Sequence, residues 1–581
     1  MFPIDPTNLE EANLEKANLA IAKLVDRKQV WINLDTEKRI NYLRCCVECV
    51  IAVAEDWVNA ACIAKGIDPA SDLAGEEWLA GTIATLLNLN LLIKSLHANG
   101  QPSSVASYTR SSGQIIRQVF PDNWMDRLLW LGFKGEIWLE PGKPATQGKI
   151  YRPPSATHPS NGQVGDQTRG QVGGQAGSQV EGRIALVLGA GNVSSIAPMD
   201  TLHKLFAEDQ VVLLKMNPVN EYMGAILQQA LQPLIADGFV QIVYGGAKLG
   251  SYLCRHPRVE TIHITGSGQT HDAIVWGNPA EQPRRKASAH PQLDKPITSE
   301  LGCVTPILIV PGYWSTSALK FQARQVAAMV VNNASFNCVA GQVLVTAKGW
   351  QQRAEFLSQV KQELAKIPPR KAYYPGTKER YQGFLDRYSQ AEAVSGGEVP
   401  WTVIWDVPAQ AGEYALETEA FCGILAEVSL GETEADRFLA TAVEFANAKI
   451  WGNLSCVVLI DQVTQKRSEA ALEQAIADLR YGAIGVNVWT GTLYFLSALT
   501  WGAFPGNRLE DIRSGQGIVH NAYLFDHPQK SVLRSPFQIR PTPSWFADHK
   551  NLLPLAKEFA KFQARSTWDR FLRVVWEALK G

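Results

Sequence analysis

From residue 183 onward, apolar positions fall into short runs of strand length separated by longer stretches of helical period. Residues 184–188, 211–214, 240–243 and 261–264 each read as a buried strand, and runs such as 221–236 between them read as helices. Alternation of this kind predicts a mostly parallel sheet with helices on both faces, an α/β fold. The chain before it is patterned differently. Residues 7–24 predict an amphipathic helix, in which Asn-Leu pairs at a spacing of five are too few to close a solenoid, and residues 36–98 continue as helical segments with few breakers. Residues 136–152 read as a β-hairpin around a Gly/Pro turn. Residues 155–182, rich in Gly, Gln and Ser, cannot bury enough apolar surface to offset their ordering entropy and predict a flexible insert. At the other end, residues 553–580 place Leu555, Phe559, Phe562, Trp568, Phe571, Val575, Trp576 and Leu579 at helical spacing among basic residues. That pattern predicts one amphipathic helix, packed first on its own protomer, next on a second subunit, and last on a membrane surface.

Composition narrows the class without naming a chemistry. At 581 residues, with domains averaging about 150 residues, several domains and ample core are expected. A net charge of −1 favours neither nucleic acid nor an anionic surface as a partner of the whole chain. The start of the chain shows no basic segment followed by an apolar stretch, and no apolar run approaches the roughly 20 residues that span a bilayer. The expectation is a cytoplasmic protein without an integral membrane segment. Nine cysteines in so long a chain do not suggest a disulfide framework. Cys46 and Cys49, with Cys45 and Cys62 near, sit in an apolar helical run and read as packing residues, and no histidine pair has metal-ligand spacing, so no metal is expected.

Candidate chemistry centres on Cys338, which follows Glu300 by 38 residues. A thiolate can attack an electrophilic carbon and a carboxylate can then activate water. Upstream stand Asn192 in Gly189-Ala190-Gly191-Asn192, Lys215 at the end of an apolar run, and Thr265-Gly266-Ser267; downstream stand Glu419-Ala420-Phe421-Cys422-Gly423 and Gly485-Val486-Asn487. The glycines before Asn192 invite a Rossmann phosphate-loop reading, but the third glycine and the acidic end of the next strand are missing. They read instead as room for Asn192 to approach a reaction centre.

This ordered series, over residues 120–510, resembles the aldehyde dehydrogenase superfamily, as a divergent member. The resemblance implies a Rossmann-like cofactor domain (1–300), an α/β catalytic domain (301–505) and a small β oligomerisation element with the amphipathic helix (506–581). It implies Cys338 as nucleophile, Glu300 as base for thioester hydrolysis, and Asn192 with the Cys338 backbone N–H as oxyanion donors. It further implies NAD or NADP as cofactor, contacted by Lys215, Ser267, Gly266, Gly245, Gly250 and Glu419, and a homo-oligomer, dimer or tetramer. Trp489, Tyr494 and Phe495 match the substrate loop, and their side chains favour an apolar aldehyde. The chain departs from the family pattern at Cys303, where a second glycine is usual, at Ser335-Phe336-Asn337, where Gly-Gln is usual, and at residues 279–290, about ten residues longer and expected as a surface loop. The remaining alternatives are a coenzyme-A-linked reductase and an inactive dinucleotide-binding structural protein.

Overall fold

A computed structural model describes residues 6–152 and 181–581. Its strands in chain order are β1 (Ala106–Thr109), β2 (Ile115–Phe120), β3 (Lys134–Leu139), β4 (Arg183–Leu188), β5 (Gln210–Lys215), β6 (Val240–Val243), β7 (Thr261–Gly266), β8 (Ile297–Leu301), β9 (Thr305–Ile309) and β10 (Gly341–Ala347). There follow β11 (Glu392–Ala393), β12 (Thr402–Ile404), β13 (Ile424–Leu430), β14 (Ser455–Leu459), β15 (Ala483–Val486), β16 (Gly515–Gln516) and β17 (Pro528–Arg534). They form two sheets. One has the order β16-β8-β7-β4-β5-β6, parallel except at β16; the other has the order β1-β2-β3-β17-β15-β14-β9-β10-β13-β12-β11, parallel from β17 to β12.

The four strands predicted at 184–188, 211–214, 240–243 and 261–264 are found as β4, β5, β6 and β7, because continuous apolar runs such as Ile-Ala-Leu-Val-Leu are buried on both faces of a parallel sheet. Glu300 lies near the end of β8 in the smaller sheet, and β9 of the larger sheet begins at Thr305. Residues 302–304 therefore carry the chain from one sheet to the other beside the carboxylate.

The N-terminal region is helical: Pro6–Ile32, Thr36–Ala52, Ala54–Lys65 and a continuous run Ala74–His97 with a π-helical turn at Trp78–Ile83. The last of these corrects the expectation about apolar runs: by length and composition it could cross a membrane, but 61% of its most apolar window is buried inside the fold. Cys46 and Cys62 are buried in this layer, Cys49 is half-buried and Cys45 is exposed.

Three further expectations change. The hairpin at 136–152 has only its first arm: β3 pairs instead with β2 and β17, and residues 149–151 form a turn after Gly148 (φ +62°). Tyr151 is drawn from any strand by its hydroxyl, which donates to the Phe206 carbonyl at 2.5 Å. The C-terminal helix is two helices, Leu552–Ala564 and Trp568–Ala578, because Arg565 and Thr567 are extended. The lengthened segment at 279–290 is partly a helix, Gln282–Ala287, tied back by a Lys286–Asp272 ion pair at 2.7 Å. The Gly/Gln-rich insert lies almost wholly outside the described residues.

Candidate active site

Cys338 sits in a short turn between the helix Thr316–Val331 and β10. Its Sγ donates to Glu300 Oε1 at 3.3 Å, so residues 38 apart in sequence are in direct contact. Burial, and then the Glu300 carboxylate, push the thiol well above its ordinary pKa. A thiol ionises most readily in an electropositive setting, whereas this one faces a carboxylate beside a mainly apolar pocket. Glu300 is itself raised, by burial and then by Asp200, with Trp501, His520 and Cys338 opposing. Glu300 is thus a stronger base than an ordinary carboxylate and lies within reach of the thiol proton. Its second oxygen, Oε2, is buried with no hydrogen-bond partner among the described residues.

The turn that presents Cys338 is strained. Asn333, Ala334 and Ser335 have φ of 52°, 55° and 70°, a left-handed conformation that costs non-glycine residues roughly 1–3 kcal/mol each. Contacts from all sides hold it. The Asn333 backbone N–H donates to Glu76 Oε2 at 3.1 Å, and Asn333 Oδ1 accepts from Lys65 at 2.9 Å and from the Tyr373 hydroxyl at 3.1 Å. Ser335 Oγ donates to the Cys422 carbonyl at 2.9 Å. Glu76 is clamped by both Arg370 nitrogens at 2.8 Å, and Glu77 by Lys65 at 2.8 and 2.9 Å. None of these supports was found in the sequence, since Lys65, Glu76, Glu77 and Arg370 carry no local motif.

Asn192 follows β4 and reaches the same turn, where its Nδ2 donates to the Phe336 carbonyl at 2.9 Å. The glycine before it has a tighter reason than room for the reaction: a Cβ on Gly191 would lie 2.8 Å from Asn217 Oδ1 and from Val219 Cβ.

Two cavities meet at Cys338, Glu300 and Asn192. The larger, about 1570 Å³, is lined by Lys215, Gly250, Gly266, Ser267 and Glu419, all expected at a cofactor site, and also by Tyr374, Arg380, Pro279 and Gln282. The segment expected as a surface loop is therefore part of this cavity's wall. Gly245 stands apart from the lining; its φ of +152° shapes the turn before the helix Ala247–Arg255. Ser267 caps the helix Gly268–Trp276, its Oγ accepting from the Thr270 N–H at 3.2 Å. Burial raises the Glu419 carboxyl to about 8, against the opposing Cys303 N–H and Arg380. That N–H donates to Glu419 Oε1 at 3.1 Å, and a Cβ on Gly302 would lie 1.9 Å from Oε2. Gly302 thus gives room for Glu419, while Cys303 needs only its backbone there.

The smaller cavity, about 90 Å³, lies on the other side of the thiol and is mainly apolar. Trp489, Tyr494 and Phe495 line it as expected, joined by Trp130, Trp501 and Trp545. Those three tryptophans are far apart in sequence and converge only in the fold. Behind Tyr494 and Trp501 lies a buried group: His520 Nε2 and Asp200 Oδ1 are 3.1 Å apart, and Thr265 Oγ1 donates to Asp200 Oδ2 at 2.9 Å. Burial alone would raise Asp200, but His263 and His520 outweigh it and hold the carboxyl far below its usual range.

Fold and site together define a two-sheet α/β protein with a thiol–carboxyl pair at the junction of a large cleft and an apolar pocket. Residues 186–383 match the aldehyde dehydrogenase family. A Staphylococcus haemolyticus protein assigned to the aldehyde dehydrogenases is 27% identical over 164 residues, 28% of this chain and 31% of its own length. Aldehyde dehydrogenase LUC3 of a Fusarium species is 31% identical over 88 residues, 15% of this chain and 19% of its own. The match thus spans at most about a third of the length of these curated relatives. A Mycobacterium tuberculosis aldehyde dehydrogenase solved with NAD+ is similar over 91% of both chains, at 16% identity and a TM-score of 0.57. An NADP-dependent glyceraldehyde-3-phosphate dehydrogenase from Bacillus halodurans, solved with NADP, covers 89% of this chain and 91% of its own, at 14% identity and a TM-score of 0.57. A salicylaldehyde dehydrogenase from Pseudomonas putida covers 90% and 91%, at 14% identity and a TM-score of 0.57. The family match is thus confined to residues 186–383, while the fold over about 90% of the chain is the one these solved aldehyde dehydrogenases share.

Proposed function

We propose that this protein oxidises an apolar aldehyde to a carboxylic acid with NAD or NADP, through a thioester on Cys338 that is hydrolysed with Glu300 as base. The observation that carries the reading is the 3.3 Å Cys338–Glu300 contact between the two cavities. Residues 1–300 would hold the cofactor, 301–505 the nucleophile and substrate pocket, and 506–581, outside the exposed face of its last helix, the subunit contacts of a homo-oligomer.

Glu300, with its raised pKa, takes the thiol proton, and the thiolate adds to the aldehyde carbon. The Cys338 N–H and an Asn192 amide hydrogen stabilise the alkoxide so formed. A nicotinamide held in the large cleft would supply the hydride acceptor that oxidation of this adduct to the thioester requires. The large cleft fits such a cofactor: the helix that starts at Ser267 would offer its N–H groups to a pyrophosphate, and Lys215 and the buried Glu419 would hold ribose hydroxyls. Once Glu300 has released the thiol proton to solvent, it deprotonates a water that attacks the thioester; the acid leaves, and the departing sulfur takes the water's proton back from Glu300. A base in contact with the acylated sulfur supports hydrolysis over exchange with coenzyme A.

Cys338→Ala should give no cofactor reduction even in a single turnover. Glu300→Gln should lower steady-state turnover about 10²–10⁴-fold. Because Glu300 also accepts the thiol proton, the burst in that variant should be slower and should rise with pH, with an acyl adduct trapped on Cys338. Wild-type turnover in either variant would overturn the assignment.

A further inference from the structure

The helix Trp568–Ala578 buries only half of its apolar face. Phe571 and Val574 point inward with Phe562, while Trp568, Leu572, Trp576 and Leu579 form a second stripe facing outward. Trp568 stacks on Trp124 with ring centroids 4.4 Å apart, which joins this stripe to the exposed Leu128 and Leu131. These seven side chains are 40–77% exposed, a concentration of aromatic and aliphatic side chains on two segments that meet at the Trp124–Trp568 stack, of the kind a soluble surface rarely leaves open.

Charge says what covers it. Residues 550–581 carry seven Lys or Arg against three Asp or Glu, in a chain whose net charge is −1. Glu558 and Glu577 are engaged by Lys561 and Lys580, whereas Arg565, Arg570 and Arg573 form no ion pair among the described residues. A two-fold contact with a second copy would set this cationic face against itself. Tryptophan and leucine flanked by arginine instead match an anionic bilayer surface, where aromatic rings sit at headgroup level and basic side chains meet lipid phosphates. The patch also adjoins the apolar pocket: Trp130 lines that pocket beside the exposed Leu131, and Phe559 touches the pocket residue Phe495 with ring centroids 6.2 Å apart.

We propose that the Trp124–Leu131 and Trp568–Leu579 patch docks the enzyme on an anionic membrane surface, from which a lipophilic aldehyde enters the pocket lined by Trp130 and Phe495. The second clause rests on the proposed reaction; the docking does not.

The test is co-sedimentation of the full chain, without aldehyde or cofactor, with phosphatidylcholine vesicles and with vesicles that also contain phosphatidylglycerol. Binding to the anionic vesicles should exceed binding to the neutral ones at least about tenfold and weaken with salt. It should fall about tenfold or more in Trp568→Glu/Trp576→Glu, and separately in Arg565→Glu/Arg573→Glu, which leaves the apolar stripe intact. Both variants should keep the parent's melting temperature and its turnover of a small water-soluble aldehyde. Three outcomes overturn the docking: no vesicle binding, equal binding to both vesicle types, or a dimer in solution that these substitutions dissociate. Docking without faster oxidation of a vesicle-borne than of a dissolved long-chain aldehyde would overturn the delivery step alone.

Discussion

Glu419 shows how one side chain's environment becomes a measurable property. Its buried carboxyl titrates near 8, above the ordinary 4.5, so the folded state holds a proton that the unfolded chain has released. Stability from this group is fully present below the unfolded value and is lost as pH rises through the folded one. Glu419→Gln, which cannot ionise, should therefore melt progressively higher than the parent as pH is raised from 6 to 9. Cofactor binding, by fluorescence titration, should be weaker in the same variant. Pro218 stands three positions past Lys215, where no fixed negative charge can repel a 2′-phosphate. Measured kcat/KM for NADP is expected within about tenfold of that for NAD, since repulsion at an exposed site is worth roughly 1 kcal/mol, a factor of about five. At this scale the candidate thiol and carboxylate were legible, because residue type and order single them out. The environments that shift their pKa values were not, because Asp200, Trp501 and His520 are brought to Glu300 only by the fold.

At the scale of elements, the strained turn before Cys338 depends on a partner layer. Arg370 and Glu76 form a buried bidentate pair, and breaking such a pair leaves an uncompensated charge that costs about 3–5 kcal/mol. Arg370→Met should lower the melting temperature by several degrees. It should also lower kcat about tenfold or more, with little change in the cofactor KM, as the turn relaxes and Cys338 leaves Glu300. The strands of the parallel sheet were readable from apolar runs, because burial on both faces writes itself directly into sequence. The hairpin at 136–152 misled because a Gly/Pro turn between apolar segments says nothing about which strand each segment pairs with. The helical period across 553–580 likewise continued through Arg565 and Thr567, where the backbone turns extended.

For the whole molecule, the C-terminal segment is part of the core rather than an appendage. A Cβ on Gly75 would lie 2.4 Å from Leu552 Cγ, and Leu552, Ala556 and Ala560 are buried. Removing residues 541–581 should uncover the apolar helical run Ala74–His97 and give a protein that aggregates or changes oligomer mass, as read by light scattering. An unaltered, soluble truncation would refute that role. The sequence alone determined the α/β class, four strands of the smaller sheet and the candidate thiol and carboxylate, since these depend on burial pattern, side-chain type and chain order. Only the tertiary structure decided that Cys338 touches Glu300, that a helical layer clamps the turn between them, and that one face of the last helix stays open. Those facts depend on contacts between residues tens to hundreds of positions apart, where no local pattern constrains the distance.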